Sequence, residues 1–373
     1  MGEGMERSKV YYTDMSTSLN ENLPEKLERL MKKAGIGDID FKDKFVAIKM
    51  HFGEPGNLAF LRPNYAAVVV KVVKELGGKP FLTDCNTLYV GGRKNALDHL
   101  DTAFTNGFSP FSVDGAHVII GDGLKGTDDM EVPVNGGEYV KSAKIGRAIM
   151  DADVFISLTH FKGHEAAGFG GTLKNIGMGC GSRAGKMEQH CDGKTAVDQS
   201  KCVGCGNCVK ICAHDAPHIV DHKSKIDPEK CVGCGRCIGV CPKDAIEPVS
   251  WNSNEILNCK IAEYSKAVVD GRPNFHVSLV IDVSPNCDCH SENDIPIVPN
   301  VGMFASFDPV ALDVACADAV NKQPVIAGSQ LDRMPHTHGD HFIDSAPDTD
   351  WHTMISHAVK IGLGTDQYEL IKI

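Results

Sequence analysis

The sequence lacks the features that mark several common functional classes. It has no Lys/Arg-rich run and a formal net charge of −11, so neither nucleic acid nor an anionic membrane surface is expected as a partner. No stretch of eighteen apolar residues occurs, and the N-terminal MGEGMERSKVYYTDM contains no apolar segment of signal-peptide length. We therefore expect a cytoplasmic protein that does not enter the membrane.

Nucleotide-binding fingerprints are also missing. No G-x-G-x-x-G follows an expected strand, so neither NAD nor FAD is implied. The segment CGSRAGKM, from Cys180 to Met187, departs from the P-loop pattern at both ends. Long disordered segments are not expected either, because 42% hydrophobic and 23% charged residues are ordinary values for a globular protein.

Cysteine, in contrast, is abundant. Eight of the fifteen cysteines form two runs with the spacing C-x2-C-x2-C-x3-C, separated by eighteen residues. This spacing is typical of bacterial two-cluster ferredoxins, in which three cysteines of one run and the fourth of the other hold each cluster. We assign one [4Fe-4S] cluster to Cys202, Cys205, Cys208 and Cys241, and the second to Cys231, Cys234, Cys237 and Cys212. Zinc is the alternative, but zinc sites usually take separated cysteine pairs or Cys/His mixtures.

The remaining sequence alternates strand and helix patterns, which predicts an α/β fold with a mostly parallel sheet and flanking helices. The expected strands are Phe45 to Met50, Pro80 to Thr83, His117 to Ile120, Val154 to Leu158 and His276 to Asp282. The expected helices are Leu23 to Lys33, Pro63 to Leu76, Arg93 to Asn106, Val140 to Met150, Asn254 to Val269, Asp308 to Val320 and Trp351 to Ile361.

The cysteine runs interrupt this alternation. We interpret residues 1–195 plus 250–373 as one discontinuous α/β domain, and residues 196–249 as an inserted, small α+β domain of the two-cluster ferredoxin type. The alternative is a tandem arrangement, because about 120 C-terminal residues could fold alone.

Ligands bind at the carboxyl ends of strands in open parallel sheets. The segments expected there are His51 to Asn57, Asp84 to Gly92, Asp122 to Gly126, Thr159 to Gly179 and Asp282 to Pro285. We name Lys162, His164 and Lys174 as candidate catalytic residues. The amides of Gly170 to Thr172, at the start of an expected helix, are predicted to bind an anion beside Lys174. The alternative is a tight structural loop with hydrogen-bonded histidines.

Further cysteines suggest a third site. Cys287 and Cys289 follow an expected strand in the sequence SPNCDCH, and thiolates with an imidazole suit zinc or iron. We predict an additional mononuclear metal (Zn or Fe) or substrate-thiol site formed by Cys180, Cys287, Cys289 and His164. Alternatively, Cys180 is a small buried residue and the CDC pair is a reduced surface turn.

Several motifs resemble the domain-of-unknown-function 362 family, which often carries an inserted or fused two-cluster ferredoxin. They are KMHFGEPGN, TDCNTLYVGGR, HFKGH, GFGGTLKNIGMGC, SPNCDCH, FASFDPVALDVA and IGLG. The resemblance implies an α/β iron-sulfur protein whose reaction is unsettled. The general plan is also similar to the catalytic domain of lactate racemase, but a fold does not specify a function.

Three functions fit these observations. The first is an iron-sulfur oxidoreductase in which the two clusters relay electrons between a redox protein and a small anionic substrate or metal in the α/β domain. The second is a non-catalytic ferredoxin-like electron carrier or adaptor that docks on a partner complex, and the third is a metallocofactor maturation factor. Between Thr195 and Val249, seven basic residues balance seven acidic ones. A free carrier would be expected to have an acidic docking surface, so electron delivery within the chain is favoured.

Overall fold

The computed structural model describes residues 7–88, 91–191, 194–249 and 252–373. The strands in chain order are β1 (Ser8–Asp14), β2 (Phe45–Lys49), β3 (Lys79–Asp84), β4 (His117–Ile120), β5 (Asp129–Pro133), β6 (Ser142–Gly146), β7 (Val154–His160), β8 (Lys162–His164), β9 (Gly168–Gly170), β10 (Thr195–Val197), β11 (Pro217–Val220), β12 (Lys223–Ile226), β13 (Ile246–Pro248), β14 (Asn274–Val280), β15 (Gly302–Ser306) and β16 (Tyr368–Lys372). The helices are α1 (Leu23–Lys33), α2 (Pro63–Glu75), α3 (Ala96–Thr105), α4 (Arg147–Met150), α5 (Thr172–Cys180), α6 (Arg183–His190), α7 (Asn207–Ile211), α8 (Arg236–Gly239), α9 (Asn254–Val269), α10 (Pro309–Asn321), α11 (His341–Ser345) and α12 (His352–Lys360).

The central sheet has eight strands in the order β16-β1-β15-β14-β7-β2-β3-β4. Every neighbouring pair is parallel except the two pairs made by β15, which is antiparallel to both β14 and β1. This confirms the predicted α/β class and mostly parallel sheet. Strands β7 and β14 are adjacent at its centre, although the cysteine-rich segment separates them in sequence.

The sheet is buried on both faces, which explains why its central strands are continuously apolar. Side chains of β7 alternate between the faces: Ile156 packs with α1 and α2, whereas Phe155 packs with α5 and α9. Helix α1 begins at a capping box in which Asn22 and Glu25 each accept a hydrogen bond from the other's backbone amide. Helix α9, for which Ser253 is the N-cap, is buried along nearly its whole length.

One predicted helix is wrong. Residues 140–150 form strand β6, which pairs with β5, and only their last four residues, Arg147–Met150, are helical. Ala143 and Ile145 are buried whereas Ser142 and Lys144 are partly exposed, which is the two-residue period of a strand. Strands β1, β15 and β16, at one side of the sheet, were not predicted.

The two ends of the cysteine-rich segment lie side by side where it joins the rest of the fold. Strands β10 and β13 are antiparallel, with Thr195 opposite Pro248. Between them lie the hairpin β11–β12 and two short helices, α7 and α8. We call residues 195–248 the insert and the remainder of the described chain the body.

Candidate functional site

A cavity of about 770 Å³ lies at the carboxyl ends of β2, β3 and β7. Three of the five segments expected at this edge line it, together with the SPNCDCH segment. The segments Asp122–Gly126 and Asp282–Pro285 contribute no lining residue. The three candidate catalytic residues Lys162, His164 and Lys174 all line the cavity, as do Cys287 and Cys289.

Two thiols and an imidazole meet at the cavity wall. One potential ligand atom each from His164, Cys287 and Cys289 lies within 4.8 Å of the other two, so this group could hold a metal ion. The Lys174 ammonium donates to Cys287 Sγ at 3.4 Å, and so does the Cys289 backbone amide, also at 3.4 Å. We call His164, Lys174, Cys287 and Cys289 the thiol cluster.

The orientation of His164 follows from its backbone neighbours. Its Nδ1 accepts hydrogen bonds from the amides of Ala166 and Ala167, both at 3.0 Å. In a neutral imidazole, which has one donor and one acceptor nitrogen, this arrangement places the proton on Nε2. Metal-bound histidines usually donate their second nitrogen to an acceptor, which is the opposite arrangement.

The electrostatics of the cluster favour a thiolate on Cys287. The hydrogen bond from Cys289, the Lys174 ammonium and the His164 ring hold the pKa of Cys287 well below its usual range, although burial opposes this. The same bond to Cys287 raises the pKa of Cys289 well above its usual range. Burial disfavours the charge on Lys174, but the two sulfur groups outweigh it and raise the pKa of Lys174.

The intervening Asp288 fixes the turn that presents the two thiols. Its buried carboxylate accepts from His160 Nδ1 at 2.9 Å and lies 3.5 Å from the Lys162 ammonium. Burial alone would raise the pKa of Asp288, but these two positive partners lower it below its usual value. Lys162 therefore lines the cavity with its charge partly balanced, and it also donates to the His160 carbonyl at 3.1 Å.

Cys180 does not join this cluster. Its side chain is fully buried in an apolar group with Ala47, Phe155 and Ile176, and the described residues that could hold a metal with Cys287 and Cys289 do not include it. Burial raises the pKa of Cys180 to about 11. The alternative that Cys180 is a small core residue describes its environment, and the predicted four-residue ligand set is not assembled.

The predicted anion site at the start of α5 is already filled by the protein itself. The amides of Thr172 and Leu173 donate to the two oxygens of the buried Asp313 carboxyl group at 2.6 and 2.8 Å. A Cβ on Gly171 would lie 2.5 Å from the same group. The prediction of a ligand anion here was therefore wrong, because a side chain from α10 takes its place. Burial raises the pKa of Asp313 to about 7.

A buried ionic network beneath the cavity escaped the sequence analysis. The Lys49 ammonium lies 3.0 Å from Asp84 and donates to Asn175 at 2.8 Å, whereas Arg93 pairs with Glu54 at 2.6 Å. Burial would raise the pKa of Asp84, but the nearby Lys49 lowers it below its usual value. A lysine inside the apolar run FVAIKM was the sequence signal that could have indicated this network.

The eight motif cysteines gather at two small pockets in the insert. One pocket is lined by Cys202, Cys205, Cys208 and Cys241, and the other by Cys212, Cys231, Cys234 and Cys237. These are the two sets that the spacing predicts. Backbone amides point at the sulfurs: Ser224 donates to Cys202 and Ala245 donates to Cys241, both at 3.3 Å. Four thiols around each pocket, with amide donors to two sulfurs of the first, fit a [4Fe-4S] cluster at each.

Helix α6 lies between the cavity and the insert. Its residues Lys186 and His190 line the cavity, whereas Met187 packs with Cys208 and Ile238 of the insert. The insert approaches so closely that a Cβ on Gly235 would lie 2.9 Å from Met187 Cγ. An α-helix with its side chains is about 10–12 Å across, so the cavity and the insert are separated by one helix diameter.

The residues at this edge carry the motifs by which the chain can be related to known proteins. The family described as a domain of unknown function, DUF362, matches residues 46–318. The chain belongs to the DUF362 family. This confirms the predicted family.

Other comparisons give more distant matches. Thylakoid-associated protein sll1697 of Synechocystis sp. is 28% identical over 132 residues, which cover 34% of this chain and 35% of that protein. Lactate racemase apoprotein from Thermoanaerobacterium thermosaccharolyticum matches with a TM-score of 0.37 and 12% identity, over 74% of this DUF362 chain and 51% of the other. A Thermotoga maritima protein matches with a TM-score of 0.36 and 11% identity, over 83% of this chain and 60% of that one. Within the described ranges, no helix is both long and apolar enough to cross a membrane.

Proposed function

We propose that this protein is an iron-sulfur oxidoreductase in which two [4Fe-4S] clusters in the insert relay electrons to or from the cavity in the body. The observation that carries the proposal is the gathering of the eight motif cysteines at two pockets, four at each, in the pairing typical of two-cluster ferredoxins. When bound, each cluster supplies one-electron redox chemistry.

The two pockets differ in what surrounds them. Cys205, of the first set, is exposed to solvent, whereas all four cysteines of the second set are partly buried. In the second set, Cys234 is followed by Gly235, which contacts Met187 and Arg183 of α6. We therefore assign the first set to exchange with a redox protein and the second to exchange with the body.

The cavity distinguishes this proposal from an electron carrier alone. A carrier needs only a docking surface, whereas this chain has an enclosed space of about 770 Å³ within one helix of the insert. The basic lining residues outnumber the acidic ones by five to four, namely Lys49, Arg93, Lys162, Lys174 and Lys186 against Glu54, Asp84, Glu165 and Glu292. Among the described residues, Lys186 donates to the carbonyls of Gly179 and Gly181. A small anionic substrate therefore fits the charge of the cavity.

The proposal is tested by replacing one ligand of the exposed set. Cys205→Ser, prepared without oxygen, should lose most of the iron of one cluster, about half of the total, and keep the electron paramagnetic resonance signal of the other. The matched control is Cys259→Ser, which replaces a thiol on α9 in the body and should keep all the iron. Equal iron contents in the two variants would contradict the cluster assignment.

A further inference from the structure

We propose that Cys287 and Cys289 are a redox-active dithiol, which opens and closes an internal disulfide at the wall of the cavity. The inference rests on the proposed function for its source of electrons. It gives the cavity a specific chemistry, namely two-electron exchange at sulfur, and makes a disulfide or another two-electron acceptor the expected class of substrate.

The positions of the two sulfurs favour a disulfide. They belong to residues two apart in one turn, in which the His290 amide donates to the Cys287 carbonyl at 3.1 Å. Their sulfur atoms lie within 4.8 Å of each other. A disulfide needs an S–S distance of about 2.05 Å, which rotation of the partly exposed Cys289 side chain can provide.

The two thiols differ in burial and in the groups that surround them. Cys287 is almost completely buried and has the Lys174 ammonium and the Cys289 amide as donors to its sulfur, both at 3.4 Å. Cys289 is less buried and lies beside His290, with ligand atoms within 4.8 Å. One sulfur therefore has two hydrogen-bond donors, one of them charged, and the other has an imidazole nearby. Asymmetry of this kind is what thiol–disulfide chemistry requires.

Two features of the site disfavour a metal ion bound to His164, Cys287 and Cys289. A metal bound to His164 Nε2 would have to displace the ring proton, while Nδ1 still accepts from the Ala166 and Ala167 amides. The ion would also lie next to the Lys174 ammonium, which already contacts Cys287. Both features disfavour a cation and favour an anionic sulfur.

The redox step balances with one proton. Reduction of the disulfide takes two electrons and breaks the S–S bond; Cys287 keeps its electron pair as a thiolate, and Cys289 takes a proton from His290. The two clusters of the insert, when bound, would supply these two electrons, one each. Oxidation reverses each of these transfers, so the dithiol is the point at which one-electron and two-electron chemistry meet.

The test measures the thiols directly rather than an activity. The full chain with its clusters is treated with one equivalent of diamide, alkylated with N-ethylmaleimide and digested for mass spectrometry. We expect Cys287 and Cys289 in one disulfide-linked peptide. Reduced methyl viologen, a one-electron donor, should reopen it, and should do so about tenfold more slowly in Cys205→Ser.

A matched pair of lysine variants tests the thiolate. Lys174→Gln should slow alkylation of Cys287 by iodoacetamide about tenfold at a pH below the pKa of the thiol, because the rate there is proportional to the thiolate fraction and a rise of one unit in the pKa lowers that fraction tenfold. Lys186→Gln, in the same cavity but bonded to carbonyls, should leave the rate unchanged. Equal rates in the two variants would contradict the role of Lys174.

Two results would overturn the dithiol. One is a protein with both clusters in which Cys287 and Cys289 remain alkylated after oxidation. The other is a non-cluster metal that disappears in the Cys287→Ala, Cys289→Ala double variant. Absence of iron from the insert would overturn the proposed function and the electron source together, so the failures can be told apart.

Discussion

The body and the insert are held together by different forces. The body has apolar clusters on both faces of an eight-stranded sheet, with many side chains that are completely inaccessible. In the described part of the insert, the buried apolar residues other than cysteine and glycine are only Ala216, Pro217, Ile238, Ala245 and Ile246. So small a core does not stabilise a domain of this size, and in the proposed function the bonds between the cysteines and the clusters would supply most of the stability of the insert.

The two regions also differ in how sequence determines conformation. In the insert, Gly204 and Gly206 have φ of 65° and 76°, and their counterparts Gly233 and Gly235 have φ of 74° and 65°. Left-handed backbone at equivalent positions requires glycine, so the repeated motif folds the same way twice. In the body, conformation depends on contacts between distant segments. The conformation of the insert therefore depends on residues that are close in sequence and, in the proposed function, on its clusters. The conformation of the body depends on packing between segments that are distant in sequence.

The largest expected effect follows from removing the insert. Because Thr195 and Pro248 are directly opposite in the β10–β13 pair, a short Gly/Ser linker can join the body across the gap. Replacing residues 196–247 in this way should leave a colourless protein that unfolds in one cooperative transition, measured by circular dichroism. The same change should expose Met187, which packs against the insert.

The reciprocal experiment is the control for that replacement. Chelating the iron from the full chain should increase amide hydrogen exchange across the insert and leave the exchange of β7 and β14 slow. Loss of protection in these central strands would show that the clusters are part of the core of the body.

The buried ionic network of the body gives the next largest effect. Lys49→Met removes the partner of Asp84 at a site where both side chains are almost inaccessible, and should lower the free energy of unfolding by about 3–5 kcal/mol. Lys79→Met, which breaks the exposed pair with Asp43 at 3.7 Å, should change it by about 0–1 kcal/mol. Chemical denaturation of both variants provides the comparison, and similar effects would contradict the burial of the network.

The last expected effect is a pH dependence at the start of α5. Burial raises the pKa of Asp313 to about 7, so the folded state binds its proton more tightly than the unfolded state. The stability from this group is complete below the unfolded pKa of about 4 and is lost as pH rises through about 7. The melting temperature of the protein relative to Asp313→Asn should therefore fall between pH 4 and pH 7. A constant difference across that range would show that Asp313 keeps an ordinary pKa.

The sequence predicted best those elements and motifs that depend on residues close together in the chain. The strand His117–Ile120 and the helix Asn254–Val269 have the predicted bounds, because their residue patterns are regular. The cysteine spacing predicted which four thiols line each pocket, since the motif itself determines the loop.

The wrong predictions share a different origin. Thr172 and Leu173 bind Asp313, which lies 141 and 140 residues later, so no local pattern could reveal that the helix terminus was occupied. Cys180 ends the same helix but turns into the apolar core, in a cluster with residues of β2, β6, β7 and α9 among others. Both depend on tertiary packing, which periodicity and spacing do not report.

Metal analysis combined with low-temperature electron paramagnetic resonance of the native chain, purified without oxygen, tests the central claim most directly. The account predicts about eight irons and eight acid-labile sulfides per chain, and on reduction the signals of two [4Fe-4S] clusters. A chain with all its cysteines reduced that contains about two zinc ions and no iron would contradict it.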